Sequence, residues 1–196
     1  MQTRAQEKRQ RILRAAYTLF SEQGFEAVGM RNIAAAAGVS IGTVYAYFTD
    51  KKTTFIEVFA LYSEELKNGI FKHIDEGLTE HRDIEEFAYD LIRRLFDIFR
   101  NRLKLHRDVI LLSLVDDQAR SVYIALERQG EAAVVGVFFD RFRDRIDVAD
   151  AQAAQFIVHK AIDEIIQYLL FYEVPVDRDR VFRETARMIA RYLEKR

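Results

Sequence analysis

The side chains that most often carry enzymatic or metal chemistry are few and scattered in this chain. It has no cysteine, and its four histidines lie at positions 73, 81, 106 and 159. The lack of cysteine excludes thiolate nucleophiles, thiolate metal sites and disulfides. No Glu-x-x-His pair, His-Glu-x-x-His helix or glycine-rich phosphate loop occurs. The sequence therefore predicts a protein that is not an enzyme and uses neither a metal nor a cofactor.

A different chemistry, hydrogen bonding to a nucleic acid, is available to residues 31–51. This stretch holds one guanidinium, one ammonium and several hydroxyls, on Arg31, Ser40, Thr43, Tyr45, Tyr47 and Lys51. Such groups bind phosphates, and arginine also binds the guanine edge. Residues 1–52 contain eight Lys or Arg against four Asp or Glu, whereas the rest of the chain is net acidic. A basic N-terminal segment followed by an acidic remainder is typical of a protein in which only the N-terminal segment contacts the phosphates of a nucleic acid.

Two short helices separated by a glycine must position these groups. Small apolar residues at 33, 34 and 37 predict a short second helix that can pack closely against its neighbours. Gly38 then supplies a turn with positive φ, and Ser40 caps a third helix from Ile41 to Phe48. A first helix ends near Gln23, and a fourth begins after Asp50. This pattern predicts a three-helix head.

The remainder of the chain is predicted to be helical as well. It is 49% hydrophobic overall, with one proline and eight glycines, so little interrupts the helix-forming residues. Apolar periodicity predicts helices at about 84–100, 103–115, 118–146, 149–173 and 179–195. The predicted fold is all-α with about nine helices. We divide it into a head at residues 1–52 and a larger body at residues 53–196, continuous through the fourth helix.

The head resembles the DNA-binding segment of the TetR family of repressors. The resemblance covers about residues 8–56 and rests on the helix Ile12–Phe25, on the turn and recognition segment Ile33–Phe48, and on Lys51. It implies a helix-turn-helix whose recognition helix enters the major groove of DNA. One departure is Gly29, where family members usually carry Ser or Thr. Glycine can still cap the second helix but offers no hydroxyl to a phosphate.

The resemblance also implies which residues contact DNA. Arg31, Ile41, Gly42 and Thr43 would face bases or backbone, whereas Tyr45, Tyr47 and Lys51 would face phosphates, with Ser40 as the cap. Alternatives remain open for several of them. Arg31 can hold a guanine or a phosphate, Tyr45 can be a packing residue, and Lys51 can be a solvated lysine. Ile41 can touch a thymine methyl group or fill a local gap.

By resemblance, the body would dimerise and enclose a small-molecule effector. Apolar stripes on the last two helices suit an intersubunit four-helix bundle, with Ile157, Ala161, Ile165, Phe182 and Ile189 as the predicted contacts. The alternative is that these stripes face their own core. A two-fold dimer would bind a palindromic operator.

Surplus aromatic residues in the body can line a cavity for a hydrophobic or aromatic effector, or can be ordinary core. The predicted lining residues are Phe96, Phe99, His106, Ile110, Phe138, His159 and Asp163. His159 and Asp163 lie four residues apart on one helical face. They can therefore orient a polar group of the ligand or bind each other.

Together these features predict a dimeric transcriptional repressor that is released from its operator by a small effector. Two alternatives keep the same fold: a transcriptional activator, and a helical ligand-binding protein without DNA affinity. The first ten residues lack the apolar core of a signal peptide, and no apolar run is long enough to span a membrane. We therefore expect a cytoplasmic protein.

Overall fold

The structure, a computed structural model, describes residues 4–77 and 83–194, except for the side chains of residues 69–77, 126, 133, 134 and 137. Over these ranges it contains nine helices and no β-strand. They are α1 (Arg4–Gln23), α2 (Met30–Ala37), α3 (Ile41–Tyr47), α4 (Lys51–Gly77), α5 (Ile84–Arg100), α6 (Leu103–Val115), α7 (Asp117–Arg141), α8 (Ala151–Phe171) and α9 (Arg178–Leu193). The predicted all-α fold is confirmed. Within the described ranges, no helix is both long and apolar enough to cross a membrane.

The predicted end of α7 at residue 146 is wrong. The helix stops at Arg141, and the backbone N–H groups of Arg145 and Ile146 turn back to donate to the carbonyl of Phe142. Ile146 then forms an isolated antiparallel bridge with Glu194, just beyond the end of α9. The backbone N–H of Asp147 donates to the carbonyl of Leu193 at 2.8 Å, so the chain bonds here to the end of α9 and does not continue the helix. Leu193 and Glu194 lie far along the chain, so no local periodicity reveals this pairing.

The chain divides into two compact units. The first comprises Met1–Glu65 and Arg102–Leu126, and the second comprises Leu66–Asn101 and Glu127–Arg196. The first unit thus contains α1, α2, α3, the first half of α4, α6 and the start of α7. The predicted boundary at residues 52 and 53 falls inside this unit. That boundary remains a functional division that we predict.

Aromatic rings at the end of α1 and the start of α4 form the centre of the first unit. The Phe20 and Phe55 rings meet edge to face at 5.0 Å, and Phe25 packs on Phe55 at 4.9 Å. Phe25 also lies 6.0 Å from Phe20, just after Gly24, whose positive φ ends α1. Val44 and Phe48 are buried on the inner side of α3. Burying each such side chain stabilises the fold by about 1.5–3 kcal/mol, which fixes α3 on its support.

The second unit has its own apolar core, built from α5, α7, α8 and α9. Phe87 and Phe142 pack around Phe138, with ring centroids 5.3–5.5 Å apart. Phe96 packs on Phe182 at 5.4 Å, which joins α5 to α9. The aromatic surplus seen in the sequence is therefore used largely for close packing within this unit.

Candidate DNA-binding site

The turn between α2 and α3 depends on Gly38. This residue has a left-handed backbone with φ +62° and ψ 41°. Its N–H donates to the carbonyl of Ala35, and the N–H of Val39 donates to that of Ala34. These two bonds satisfy carbonyls at the end of α2, as in a Schellman motif. Because only glycine adopts this conformation without cost, Gly38 sets the angle at which α3 leaves α2.

Ser40 starts α3 through its side chain. The Ser40 hydroxyl oxygen accepts a hydrogen bond from the N–H of Thr43 at 3.1 Å and lies 2.9 Å from the Thr43 hydroxyl. The cap satisfies a backbone donor that the first turn of a helix otherwise leaves free. Both hydroxyls are thus engaged within the protein at the N-terminus of α3.

The two sides of α3 differ sharply in exposure. Val44 and Phe48 point inward, whereas Ile41 is 37% exposed and Tyr45 is 54% exposed. Gly42 and Ala46 are also exposed, and Thr43 and Tyr47 are half-buried. The predicted contacts Ser40, Ile41, Gly42, Thr43, Tyr45 and Tyr47 thus lie together on one short element. Its outward side is open to a partner.

Arg31, in the first turn of α2, is exposed, and no ion pair holds it among the residues that the structure describes. Its guanidinium is therefore available to a base edge or a phosphate. Gly29 precedes it as the N-cap, in an extended conformation with φ −112°. The side chain of Asn32 takes over part of the capping, because its Oδ1 accepts from the Gly29 N–H at 2.8 Å.

Lys51 has a role that the sequence did not reveal. Its Nζ donates to the carbonyl of Phe25 at 3.0 Å and lies 4.2 Å from the centroid of the Phe25 ring. One of its three donors thus ties α4 to the loop after α1. The other two remain for a phosphate, so a structural role and a DNA contact are compatible.

Four side chains of the α6 segment also bind the head, and sequence reasoning missed them. Asp108 accepts from the N–H of Phe25 at 2.5 Å, and Lys104 donates to the carbonyl of Glu22 at 2.7 Å. Asp116 accepts from Lys52 at 2.6 Å, and Arg102 donates to the Tyr17 hydroxyl at 3.2 Å. The partners are 64–85 residues apart in sequence, so no local pattern signals them.

The predicted effector residues are divided between the two units. His106 and Ile110 lie in the first unit, where the His106 ring packs 6.4 Å from that of Tyr62. The other five lie in the second unit, where Phe96 and Phe138 are buried in the core and Phe99 packs against it. The void beside Phe138 measures about 10 Å³, which is room for one water molecule at most.

Within the described residues, His159 and Asp163 form no hydrogen bond with each other, and the buried Nε2 of His159 has no hydrogen-bond partner. The His159 Nε2 lies 3.7 Å from Glu127 Oε2 on α7, and that oxygen also accepts from Lys160 at 2.9 Å. Asp163 Oδ2 accepts from Gln167 at 2.8 Å and lies 3.4 Å from Lys160. We call Glu127, His159, Lys160, Asp163 and Gln167 the charged cluster. It places two carboxylates against one ammonium within the second unit.

The charged cluster strongly favours the ionised form of Glu127. Burial by itself raises the pKa of this carboxyl, but the interactions with His159 and Lys160 outweigh it and lower the pKa to about 2. Lys160 lies nearer to Glu127 than His159 does, at 2.9 Å against 3.7 Å. Its own pKa is raised, because Glu127 and Asp163 offset the cost of its partial burial.

The predicted dimer contacts fall into two groups. Phe182 and Ile189 are buried in the core of their own unit, so neither is available to a partner subunit. Ile157 is exposed, and Ala161 and Ile165 are half-buried. Large apolar side chains that the sequence reading left out are also exposed on α8 and α9: Phe156, Tyr168, Met188 and Tyr192.

A groove of about 370 Å³ lies between α8 and α9. Ile165, Val181 and Met188 supply apolar walls, and Arg180 and Glu184 stand among its lining residues.

Over the described residues, this is an all-helical protein with a helix-turn-helix whose turn depends on Gly38. The motif presents an exposed recognition helix, α3, and the exposed Arg31. A family model described as bacterial regulatory proteins, tetR family, matches residues 12–58. The HTH-type transcriptional regulator UidR from Escherichia coli (strain K12) is 38% identical over 78 residues. That match spans 40% of this chain and 39% of UidR.

Solved structures extend the likeness to the whole fold. A TetR-family transcriptional regulator from Mesorhizobium loti matches with a TM-score of 0.79 and 23% identity, covering 99% of this chain and 100% of that one. A transcriptional regulator from Saccharomonospora viridis, solved in complex with choline, matches with a TM-score of 0.71 and 18% identity, covering 97% and 99%. Residues 12–58, which include the helix-turn-helix, thus match the tetR family model, and this chain spans about two fifths of the length of UidR. The proteins it matches are regulators, in agreement with the prediction that it is not an enzyme.

Proposed function

We propose that this protein is a sequence-specific DNA-binding transcriptional regulator that acts as a dimeric repressor. The observation that carries the proposal is the exposed side of α3, held at a fixed angle by Gly38 and flanked by the free guanidinium of Arg31. A short helix of this kind fits the major groove, where each base pair presents a distinct set of hydrogen-bonding groups. Tyr45, Tyr47 and Lys51 supply the phosphate contacts.

The exposed stripe on α8 supports the dimer. Ile157, Ala161, Ile165, Tyr168 and Tyr172 recur at intervals of three or four residues and so lie along one side of the helix. In a two-fold dimer this stripe and the α8–α9 groove would meet the same surfaces of a second copy. The two recognition helices would then bind half-sites about 34 Å apart, or a multiple of that distance, in a palindromic operator.

Replacing Ile157 with glutamate tests the dimer. A charge placed on this stripe must be desolvated on association, so we expect a monomer in sedimentation experiments. Gln152→Glu introduces the same charge at an exposed position on the opposite side of α8, and this control should stay dimeric. An unchanged dimer in the Ile157 variant would place the interface elsewhere.

The body is proposed to bind a small hydrophobic or aromatic effector that releases the operator. The charged cluster supports a polar subsite, because it places ionised groups beside an otherwise apolar core. The related regulator from Saccharomonospora viridis binds choline, which shows that a regulator of this fold can hold a small organic ligand. Release requires that the effector bind one arrangement of the two heads more tightly than the other.

Selection of duplexes from a random pool, followed by gel shift at two salt concentrations, tests the DNA-binding proposal. We expect a palindromic duplex to be enriched and its affinity to fall steeply with salt while remaining sequence-selective. If no duplex is enriched, the protein is the alternative: a helical ligand-binding protein without DNA affinity. A transcriptional activator remains the other candidate. A reporter assay with the operator placed at a promoter distinguishes activation from repression.

Titration of the operator complex with candidate ligands tests the effector. A ligand that binds the free protein should weaken operator binding, and the operator should weaken ligand binding by the same factor. Ligands that bind the body but leave operator affinity unchanged would contradict the release mechanism.

A further inference from the structure

The exposed surface of α3 has an unusual composition for a helix that reads DNA. Its seven residues are Ile-Gly-Thr-Val-Tyr-Ala-Tyr, with no Arg, Lys, Asn, Gln, Asp or Glu. Bidentate recognition of guanine requires Arg or Lys, and that of adenine requires Asn or Gln. Cytosine is read through its amino group by Asp or Glu. None of these hydrogen-bonding modes is available to the side chains of α3.

The short hydroxyls at the start of α3 are already engaged. Ser40 accepts from the N–H of Thr43, and the two hydroxyl oxygens lie 2.9 Å apart. These bonds form the N-cap of the helix, so redirecting both hydroxyls to a base would remove the cap. Specific contact by the N-terminal turn of α3 must therefore come from another kind of group.

Ile41 carries the largest exposed aliphatic side chain of α3, beside the smaller methyl groups of Thr43 and Ala46. It is the first residue of α3 and is 37% exposed. Gly42 follows it without a side chain, so no neighbouring side chain on that residue competes with Ile41 for the groove. In the major groove, the apolar group that distinguishes one base from the others is the C5-methyl group of thymine.

We propose that Ile41 reads thymine through its C5-methyl group, at one position in each half-site of the operator. The inference rests on the proposed DNA-binding function and specifies the chemistry of its partner. Arg31 on α2 then supplies the guanidinium for a guanine, so each half-site combines one apolar and one hydrogen-bonded contact. Specificity at the Ile41 position comes from desolvating a methyl group, which makes it independent of hydrogen bonding.

Replacement of thymine by deoxyuridine tests this directly, because it removes the methyl group and leaves the pairing edge unchanged. The probe is the duplex that the protein selects from a random pool, with each thymine of one half-site replaced in turn. Loss of one methyl contact should weaken binding about fourfold at one position. Replacement at the other thymines should have little effect.

The Ile41→Ala variant completes the test. Ile41 is at the surface, so its truncation should leave the helical circular dichroism unchanged. This variant should bind the thymine duplex less tightly, and deoxyuridine should then cost it nothing further, because the partner of the methyl group is gone. Ile124→Ala is the matched control, because it truncates a similarly exposed isoleucine on α7 of the first unit, and it should keep the full deoxyuridine penalty.

The outcomes separate this inference from the function on which it rests. Specific binding that is insensitive to deoxyuridine at every position, or an equal penalty in wild type and Ile41→Ala, would overturn the methyl-reading role alone. Failure to enrich any duplex would overturn both the role and the DNA-binding proposal. A penalty present in the wild type and absent in Ile41→Ala supports the proposal.

Discussion

The recognition surface of α3 and the charged cluster in the second unit place polar groups in opposite ways. On α3, the polar groups are exposed or are satisfied by neighbours three residues away, such as Ser40 and Thr43. In the charged cluster, Asp163 is buried and Lys160 is half-buried, and Lys160 binds both Asp163 and Glu127, which comes from another helix. The first arrangement is open to a new partner, whereas a ligand at the second would have to compete with the partners already there.

This difference separates two kinds of energetic cost. A group on the surface of α3 can be changed with little effect on folding, because water replaces the lost contact. A partly buried charge that loses its partner retains the cost of its desolvation. We therefore expect changes to α3 to alter binding and changes to the charged cluster to alter stability.

The largest effect on stability is expected at Phe48, the C-cap residue of α3. Phe48 is 1% exposed and packs beneath the helix, so Phe48→Ala should lower the free energy of unfolding by about 3–5 kcal/mol in urea titrations. Tyr45→Ala, at a 54% exposed position of the same helix, should stay within about 0.5 kcal/mol of the wild type while losing operator affinity. Equal destabilisation by the two variants would contradict the distinction drawn here between the buried and the exposed side of α3.

The next effect is a pH dependence that the charged cluster should impose. The pKa of Glu127 is lowered from 4.5 to about 2, so its ionised form adds stability that is present above about pH 4.5 and is lost as the pH falls towards 2. Glu127→Gln should cost about 2 kcal/mol at pH 7, and the cost should shrink steadily on acidification.

Glu26→Gln provides the matched control for this change, because Glu26 is exposed in the first unit. Urea unfolding at several pH values should show no such convergence for this variant. A Glu127→Gln penalty that stays constant between pH 7 and pH 3 would contradict the role of the cluster.

The third prediction compares the effect on stability of a glycine-to-alanine substitution at one position in each unit. Gly38 has φ +62°, so Gly38→Ala should destabilise the protein by about 1–2 kcal/mol although its Cβ would meet nothing within 4 Å. Gly130 lies within α7 with equally open space and no positive φ, so Gly130→Ala should stabilise by about 0.5–1 kcal/mol. Thermal unfolding of both variants checks the opposite signs. Two shifts of the same sign would mean that the hinge conformation is not what Gly38 supplies.

The smallest effect on stability is expected at Lys51, which contributes both to the fold and to the proposed DNA contacts. Lys51→Met removes the bond to the Phe25 carbonyl and should cost about 1 kcal/mol of stability. It should also reduce the slope of log affinity against log salt by about 1, the value for one phosphate contact. Arg128→Met, at an exposed position on α7, should change neither. An unchanged slope in the Lys51 variant would remove this residue from the DNA contacts.

The sequence predicted the head more completely than the body, for a physical reason. Gly38, Ser40 and the apolar positions 44 and 48 act on neighbours within four or five residues, so their pattern specifies the turn and the inner side of α3. Glu127 and Lys160 are 33 residues apart, and Phe25 and Asp108 are 83 apart. Their pairing depends on how helices pack, which periodicity does not encode.

Helical periodicity also identified the apolar stripes without showing which side of each stripe is buried. Phe182 and Ile189 were predicted at the dimer interface, but they lie in the core of their own unit. Ile157 belongs to a similar pattern on α8 and is exposed. A helix that packs on its own subunit and on a second one has apolar residues on both sides, and the sequence alone does not assign them.

The most direct test of the central claim is the affinity of Arg31→Ala for the duplex that the wild-type protein selects. We expect a loss of about 10- to 100-fold, the effect of removing one bidentate base contact. Arg143→Ala removes the same charge from an exposed turn of the second unit and should bind like the wild type. If Arg31→Ala binds as tightly as the wild type and Arg143→Ala does not, the side of α2 and α3 described above is not where this protein meets DNA.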